Sequence, residues 1–304
     1  MDLDNLTLFL RIVEKGGMAA AGRDLGLSPA SVSERLAALE VYYGARLLTR
    51  TTRSISLTDE GRELVSGARR ILAEADEVQS RIKLGVEKIS GTIHISAPID
   101  LGHNRIVPLL DAFMCEHPEV NIDLTLTDGY VDLVGQGLDL ALRLGALSDS
   151  TLKVRKLGNN SRVVCASPDY LSTHGTPQHP EDLVHHNCIV MRFGSHVDQA
   201  WRFLVQGKEQ KFTVRGNRIV NDGHLVRIWC RAGHGIALKS EWDIQDDLKT
   251  GTLVPILQDF APTPTALQIV YPAGSIQPRR VRLLMNYITD WFACNPNNPS
   301  IQFI

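Results

Sequence analysis

One segment, residues 19–39, constrains the fold of this 304-residue chain more than any other feature. Its sequence is AAAGRDLGLSPASVSERLAAL, a run of small residues followed by a break and a second helical stretch. Gly26 is the residue type best able to take the left-handed backbone that ends a helix. Ser28 supplies a side-chain oxygen that caps the next helix, and Pro29 fits the first helical position. The segment therefore predicts two helices joined by a tight turn.

The second helix of this pair carries an apolar stripe, Val32, Leu36 and Leu39, that packs on the first helix. Small residues on the first helix let the two helices approach closely, and short polar side chains on the second fit a DNA major groove. We therefore predict a helix-turn-helix that binds DNA. The residues expected at the DNA are Ser28, Pro29, Ala30, Ser31, Ser33, Glu34 and Arg35. For Arg35 the alternative interpretation is a solvated charge on the helix surface.

Residues 44–57 predict a short β-hairpin, because Ser and Thr alternate with Ile and Leu in its second half. A hairpin in this position is the wing of a winged helix-turn-helix. Its tip offers cations that reach phosphates or a narrow minor groove, and hydroxyls that donate to phosphates. The tip residues are Arg50, Thr51, Thr52 and Arg53. For Arg50 the alternative is an internal salt bridge.

The charge of the whole chain limits how it can contact nucleic acid. Its formal net charge at pH 7 is -2, which argues against a broadly basic coat. DNA contact must then rest on locally placed arginines and on the geometry of a dimer. The chain begins without a signal peptide, has no long apolar run, and its five cysteines form no CxxC pair. These features predict a reduced, soluble protein of the cytoplasm, not attached to a membrane.

A long helix is predicted to begin near Asp59 and to carry a narrow apolar seam. The seam alternates steps of four and three residues, as in a coiled coil, and charged residues lie off it. Its members are Leu64, Ala68, Ile71, Ala75, Val78 and Ile82. We predict that this seam pairs with the same helix of a second copy. The alternative is a helix that lies on its own domain.

From residue 91 the sequence changes to strands that alternate with helices, which predicts a mostly parallel, helix-covered sheet. The predicted elements include strands over 92–97 and 139–143 and helices over 105–117 and 130–136. Two such halves fit the length, and a ligand is expected at the strand ends between them. This part of the chain is thus predicted to be an α/β ligand-binding domain.

The order of these parts resembles the LysR-type transcriptional regulators over essentially the whole chain, in the branch whose wing reads RTTR. The N-terminal motifs that carry the resemblance are Ala20-Ala21, Leu25-Gly26-Leu27-Ser28, Val32-Ser33, Leu39-Glu40, Leu47-Leu48-Thr49-Arg50 and Leu57-Thr58-Asp59-Glu60-Gly61. Those of the second half are Val131-Asp132-Leu133-Val134, Asp139-Leu140-Ala141, Arg143-Leu144-Gly145 and Ala232-Gly233-His234-Gly235-Ile236-Ala237. One departure is Pro29-Ala30 where the family often has Gln-Pro, which removes one base-reading side chain.

The resemblance implies an N-terminal all-α winged helix-turn-helix over 1–58, a long linker helix over 59–90, and a C-terminal α/β domain over 91–304. The last is expected to have two lobes, like a periplasmic binding protein. Lobe 1 would hold 91–161 and 267–304, and lobe 2 would hold 162–266. A cytoplasmic regulator without cofactors is implied rather than an enzyme. The implied partners are double-stranded DNA with an interrupted palindrome, a small-molecule effector, RNA polymerase at the promoter, and further copies in a homodimer or homotetramer.

The resemblance further places the effector between the two lobes. The contact residues that it implies are Ser96, Pro98, Asp100, Arg143, Ser167, Arg192, Trp201, Asp222 and His224. Arginine suits a carboxylate because its planar fork donates two parallel hydrogen bonds. An organic acid or aromatic carboxylate is therefore the expected effector. The alternatives are a buried structural salt bridge for Arg143 and ordinary core packing for Trp201.

Other functions receive little support from the sequence. It has no Gly-x-Ser-x-Gly elbow, no phosphate-binding glycine loop followed by Lys-Ser/Thr, and no His-Glu-x-x-His motif. The histidines of residues 174–186 lie in a stretch with Gly and Pro that is typical of a solvated loop, so no metal site is expected. Redox sensing through Cys165, Cys188 or Cys230 lacks an evident resolving partner. The rival interpretation is a solute-binding or catalytic domain with an incidental helix-turn-helix.

Overall fold

The computed structural model describes residues 2–50, 55–84, 88–145, 152–273 and 277–294. The N-terminal part consists of three helices, a short hairpin and a long fourth helix. Its elements are α1 (Leu3–Lys15), α2 (Met18–Leu25), α3 (Pro29–Tyr43), β1 (Leu48–Arg50), β2 (Ile55–Leu57) and α4 (Asp59–Leu84). β1 and β2 pair antiparallel. The predicted helix-turn-helix, wing and long helix are thereby confirmed.

Local sequence signals fix the turn between α2 and α3. Gly26 follows α2 with a φ of 66°, in the left-handed region that favours glycine. Ser28 caps α3 by accepting a hydrogen bond from the backbone N–H of Ser31 at 3.2 Å. Gly22 lets the two helices approach closely, because a Cβ there would lie 3.0 Å from Cγ2 of Val32. All three residues of the apolar stripe predicted for α3 are buried, so that prediction is confirmed.

The first half of α4 packs on its own domain. Leu64, Val65 and Ala68 are buried in the core that α1–α3 form, whereas Val78 is 48% and Ile82 is 80% exposed. The seam predicted to pair with a partner helix is therefore buried in its own domain at the beginning of α4 and exposed near the end of α4. Leu64 and Ala68 are used within their own domain, as the alternative interpretation expected, because three short helices leave an open core that α4 covers.

Lobe 1 of the C-terminal part is built on a five-stranded sheet in the order β4-β3-β5-β15-β6. These strands are β3 (Gly91–Ala97), β4 (Val120–Leu126), β5 (Leu140–Leu144), β6 (Leu152–Asn160) and β15 (Thr265–Pro272). The helices are α5 (Ile99–Leu101), α6 (Val107–Glu116), α7 (Leu133–Gln136) and α11 (Arg279–Cys294), with a π-helical turn over Gly102–Ile106. α6 and α11 bury apolar side chains against the sheet, including Phe113 and Leu284.

Lobe 2 is built on a sheet in the order β12-β8-β13-β7-β14, with β9 paired to β8. These strands are β7 (Arg162–Ala166), β8 (Cys188–Phe193), β9 (His196–Val197), β12 (Arg218–Val220), β13 (Ile236–Ser240) and β14 (Val254–Ile256). β10 (Ala200–Val205) and β11 (Lys208–Thr213) form a separate hairpin. The helices are α8 (Pro168–His174), α9 (Gly223–Arg231) and α10 (Glu241–Thr250). Within the described ranges, none of the helices combines the length and apolar character that a membrane crossing requires.

Both sheets are mixed, so the prediction of a mostly parallel architecture is wrong. In lobe 1, β3 pairs parallel with β4 and β5, but β15 pairs antiparallel with β5 and β6. In lobe 2, β8 is parallel to β12 and β13, but β7 is antiparallel to β13 and β14. The chain changes lobe between β6 and β7 and between β14 and β15. At both of these changes the chain passes from one strand to the next without an α-helix, whereas a parallel pair needs a helical crossover.

Three predicted helices differ in extent from the observed ones. The long helix implied over 59–90 is described over Asp59–Leu84, and residues 88–90 are not helical. The helix predicted over 130–136 is confined to Leu133–Gln136, because Asp132 caps it by accepting a hydrogen bond from the Gly135 N–H at 2.9 Å. The helix predicted over 105–117 is preceded by the π-helical turn and ends at Glu116.

Gly61 in α4 is required by packing rather than by its own backbone angles. A Cβ at this position would lie 2.1 Å from the backbone carbonyl oxygen of Leu47. Gly61→Ala should lower the free energy of unfolding of the N-terminal domain by about 1–3 kcal/mol, as overpacking does. The matched control is Gly67→Ala in the same helix, where a Cβ meets nothing within 4 Å. Thermal unfolding followed by circular dichroism compares the two variants, and equal melting temperatures would contradict this interpretation.

Candidate functional site

The N-terminal half of α3 is the surface that the sequence predicts to face DNA. Its exposed residues are Pro29, Ala30, Ser33 and Glu34. The hydroxyls of Ser28 and Ser31 lie 2.9 Å apart, so the cap orders both side chains. Arg35 is half-buried and makes no hydrogen bond or ion pair with any described residue. Short side chains and one available guanidinium are therefore presented on the same helix.

The wing hairpin carries the second group of predicted DNA contacts. Its strands pair from Leu48 opposite Leu57 through Thr49 opposite Ser56. The side chain of Arg50 lies outside the described residues, as do Thr51, Thr52 and Arg53. These four contacts remain predictions from the sequence.

A cavity of about 330 Å³ opens between the two lobes, where β3 and β5 end. Of the nine residues predicted for the effector, Pro98, Asp100 and Arg143 line it. Ser96 supports this set, because its Oγ accepts a hydrogen bond from Nη2 of Arg143 at 2.9 Å. The apolar part of the lining is Tyr130, Leu144, Met191, Phe193 and Leu238. This size and this mixed lining suit a small organic ligand.

Lys239 is a buried cation in the lining of the cleft. Its Nζ lies 2.7 Å from Oδ2 of Asp100 and 3.1 Å from Oδ2 of Asp243. Burial alone would lower the pKa of Lys239, but these two carboxylates raise it above its usual value. Burial alone would likewise raise the pKa of Asp100, but Lys239 holds it below its usual value. Lys239 and Asp100 therefore stay charged and join lobe 2 to lobe 1.

Two further polar contacts cross between the lobes. Oδ1 of Asp100 lies 3.1 Å from Nδ1 of His224, and Oδ2 of Asp128 accepts a hydrogen bond from the Gly223 N–H at 2.7 Å. Asp222 caps α9 by accepting hydrogen bonds, one of them from the His224 N–H at 2.8 Å. The predicted effector residues Asp222 and His224 thus hold the beginning of α9 against lobe 1.

Two arginines line the cleft without a carboxylate within ion-pair distance among the described residues. Arg143 of lobe 1 donates Nη1 to the Thr127 carbonyl and Nη2 to Ser96, both at 2.9 Å. Arg162 of lobe 2 donates Nη2 to the Leu238 carbonyl at 3.0 Å, and its buried Nε has no partner in the described structure. Burial lowers the pKa of both guanidinium groups. The described residues therefore do not provide the structural salt bridge considered for Arg143.

Six of the nine predicted effector residues lie outside the described lining of the cavity. Ser96, Asp222 and His224 make the contacts described above, and the other three have different roles. Ser167 is buried and caps α8 by accepting a hydrogen bond from the Tyr170 N–H at 3.3 Å. Trp201 packs in the core of lobe 2, as the alternative interpretation expected. Arg192 is exposed on β8, next to β9.

The cavity also contains residues that sequence reasoning missed, namely Asp128, Arg162, Lys239 and Asp243. Lys239 left a signal, because a lysine interrupts the apolar run of β13. Asp128 left another, because it follows the end of β4 as ligand-binding residues often follow strand ends. Asp243 left no signal in the sequence. It reaches the cleft because α10 directly follows β13.

Two buried cysteines of lobe 2, Cys165 and Cys188, lie in surroundings that suppress thiolate formation. Sγ of Cys230 donates to the Cys165 carbonyl at 3.4 Å, so the fold provides a neighbour that the sequence did not reveal. The contact with Cys230 and burial raise the pKa of Cys165 well above its usual value, and burial raises that of Cys188 to about 12. Redox chemistry at Cys165 and Cys188 is therefore disfavoured.

A groove of about 590 Å³ lies beside α4. Its lining includes Tyr43, Leu64 and Ile71 and also three acidic residues, Asp59, Glu60 and Glu63. About two turns further along the helix, Val78 and Ile82 are exposed. The remaining seam residue, Ala75, is half-buried. Among the described residues of α4, the apolar side chains left open are those in this groove and those of the C-terminal part of the predicted seam.

Comparison with known proteins identifies both parts of the chain. Residues 3–62 match the bacterial regulatory helix-turn-helix proteins of the LysR family, and residues 87–293 match the LysR substrate binding domain. The HTH-type transcriptional regulator DmlR of Escherichia coli strain K12 is 32% identical over 99% of this chain and 97% of its own length. CrgA of Neisseria meningitidis serogroup C is 30% identical over 94% of this chain and 96% of its own length.

Two full-length solved structures share the architecture. CrgA from Neisseria meningitidis, a LysR-type transcriptional regulator, aligns with a TM-score of 0.63 and 28% identity over 96% of this chain and 99% of that one. The Vibrio cholerae virulence activator AphB aligns with a TM-score of 0.60 and 29% identity over 95% of this chain and 99% of that one. The family consists of regulators rather than enzymes. This chain therefore belongs to the LysR-type transcriptional regulators, with an N-terminal helix-turn-helix domain and a C-terminal effector-binding domain.

Proposed function

We propose that this regulator binds an interrupted palindrome in double-stranded DNA and that an organic acid or aromatic carboxylate in the cleft changes that binding. The observation that carries the proposal is the pair Arg143 and Arg162. One comes from each lobe, and both line the cavity without a carboxylate partner in the described part of the chain. A ligand carboxylate would supply the missing acceptor. Contact with both lobes would favour one lobe arrangement, and only such differential affinity can change DNA binding.

The distribution of charge in the cleft supports an anionic ligand. Lys239 already pairs with Asp100 and Asp243, and Asp128 accepts hydrogen bonds from backbone N–H groups. The lining acids are thus engaged, whereas the two arginines use carbonyl and hydroxyl acceptors. Arginine is well suited to a carboxylate, and the apolar part of the lining can receive the carbon skeleton of the ligand.

The N-terminal domain supports sequence-specific DNA contact. Short exposed side chains at the beginning of α3 allow the helix to enter a major groove. Arg35 has no partner among the described residues and suits a guanine edge or a phosphate. The predicted wing contacts, from Arg50 to Arg53, would add phosphate binding beside the groove.

A homodimer built on α4 would present two such surfaces to one duplex. Val78, Ile82 and the apolar side chains in the groove beside Ile71 form surface that a second α4 would cover. Two half-sites about 34 Å apart, one turn of DNA, would then form the interrupted palindrome. The homotetramer and the contact with RNA polymerase at the promoter are proposed from the family to which the chain belongs.

Arg143→Gln should remove the response of the protein to a carboxylate. In a thermal-shift screen of small organic acids, aromatic carboxylates and amino acids, a ligand at about 100 times its Kd adds about 2.7 kcal/mol to the stability of the wild type. The variant should lose that shift, because its neutral amide lacks both the positive charge and the two parallel donors of the guanidinium. Arg192→Gln is the matched control, since Arg192 is exposed and outside the described lining, and should keep it. A wild type that responds to no acid, or an unchanged shift in Arg143→Gln, would refute the effector class.

Arg35→Ala should weaken binding to the duplex upstream of the protein's own gene by about 1–3 kcal/mol if Arg35 reads a guanine. Fluorescence anisotropy over a series of KCl concentrations gives the affinity and its salt dependence. Arg202→Ala is the matched control, because it removes the same charge from an exposed position in lobe 2. A uniform loss on all sequences, with a salt slope lower by about 1, would indicate a phosphate contact instead. Unchanged affinity would place Arg35 outside the interface.

Ile82→Glu should convert the dimer to monomers at micromolar concentration. The folded subunit should be unaffected because Ile82 is 80% exposed, whereas a carboxylate buried between two helices is costly. Sedimentation velocity measures the change. Gln79→Glu is the control, since Gln79 is also exposed on α4 but lies off the seam. If Ile82→Glu sediments like the wild type, this part of α4 is not the dimer interface.

A further inference from the structure

α4 also contacts lobe 1, and this contact joins the two functional parts of the molecule. Arg69 of α4 donates Nη1 to the Val134 carbonyl in α7. Ser66 and Ala73 lie on the same side of α4 and line a small cavity together with Gly137 of lobe 1. α4 therefore belongs to the core of the N-terminal domain and, through Arg69, to the surface of the effector domain.

The contact depends on a glycine. Gly137 has a φ of 73°, and a Cβ there would lie 2.1 Å from Cζ of Arg69. Any other residue type at position 137 would both strain the backbone and displace the guanidinium. The Gly137 N–H also donates to the Val134 carbonyl at 3.2 Å, so the same oxygen serves the end of α7 and Arg69. The position of Arg69 is thus tied to the local shape of this turn.

Arg69 is only partly satisfied in this position. Its Nη2 is buried and has no hydrogen-bond partner among the described residues. Burial lowers the pKa of Arg69, and the charges of Glu14 and Asp139 oppose that shift without forming an ion pair with it in the described structure. A buried donor without an acceptor costs free energy. The unpaired donor destabilises the docked arrangement of α4. The free-energy difference between the docked and the released arrangement is therefore smaller than it would be if every donor of Arg69 were paired.

A single strand connects this contact to the cleft. Asp139, two residues beyond Gly137, donates its N–H to the His94 carbonyl and accepts from the His94 N–H through Oδ2, both at 2.9 Å. β5 then runs through the buried interior of lobe 1, between β3 and β15, and carries Arg143 into the cleft. A close-packed interior transmits displacement rather than absorbing it. β5 is therefore a continuous physical route between Arg143 and Gly137.

We propose that Arg69 is a positioning residue that couples the effector cleft to the DNA-binding domain. It docks α4 on residues 134–137 in one arrangement and releases it in the other. This inference rests on the proposed function, in which a ligand at Arg143 changes DNA binding. Arg69 itself lies neither on α3 nor in the described lining of the cleft. The two arrangements of α4 are the states whose balance both sites shift.

The test is a double-mutant cycle on DNA affinity that needs no effector. Dissociation constants of the full-length wild type, Arg69→Ala, Arg143→Gln and the double variant are measured by anisotropy on the upstream duplex. We expect Arg143→Gln to change the dissociation constant by about fivefold or more in the wild-type background. In the Arg69→Ala background it should have almost no effect. Arg62→Ala removes the same charge from an exposed position of α4 that is not in the described lining of this cavity, and in this control Arg143→Gln should keep its full effect.

Two results would overturn the proposal: an equal effect of Arg143→Gln in both backgrounds, or no effect in the wild type. A different result would contradict the proposed function itself: a wild type that shows no salt-sensitive affinity for the duplex. In that case hydrogen–deuterium exchange still tests the docking. Arg69→Ala should speed exchange of the amides of residues 134–138, and Arg62→Ala should not. Equal exchange in the two variants would show that Arg69 does not hold this turn.

Discussion

The buried ammonium of Lys239 is the interaction on which the chemistry of the effector domain depends. A cation so far from water must be paired, because an uncompensated buried charge is strongly destabilising. Asp100 of lobe 1 and Asp243 of lobe 2 provide that pairing. The same contacts hold the lobes together and engage two of the acids in the lining of the cleft. An internal ion pair thus joins the two lobes, and the cleft between them still has arginine donors for an anionic ligand.

α4 is the element that relates this cleft to DNA. Leu64 and Ala68 complete the core of the N-terminal domain, Arg69 contacts lobe 1, and Val78 and Ile82 remain open for a second copy. One helix therefore uses two faces: an apolar seam, which its own domain covers at the beginning and leaves open at the end, and the side that carries Arg69. A small change in how α4 lies on lobe 1 would reposition the α3 surface relative to its counterpart in a dimer. A ligand far from the DNA can act in this way without contacting it.

The sequence predicted most of the N-terminal domain, because its signals are local. Gly26 and Ser28 act within a few residues of where they stand, and the apolar stripe of α3 follows from helical periodicity. Helical periodicity shows that α4 has an apolar face but not which part of the molecule covers that face. It could therefore not show that Leu64 and Ala68 pack in their own domain. The cleft was harder to predict because its pairs are distant in sequence. Lys239 and Asp100 are 139 residues apart, and only the fold brings them together.

The central claim is that a carboxylate in the cleft and DNA at α3 act on the same equilibrium. The most direct measurement is the affinity of the full-length protein for the upstream duplex at fixed salt, with and without each acid that raises its melting temperature. We predict that at least one acid changes the DNA affinity and that saturating DNA changes the affinity for that acid by the same factor. An acid that binds through Arg143 yet leaves the DNA affinity unchanged would contradict the claim.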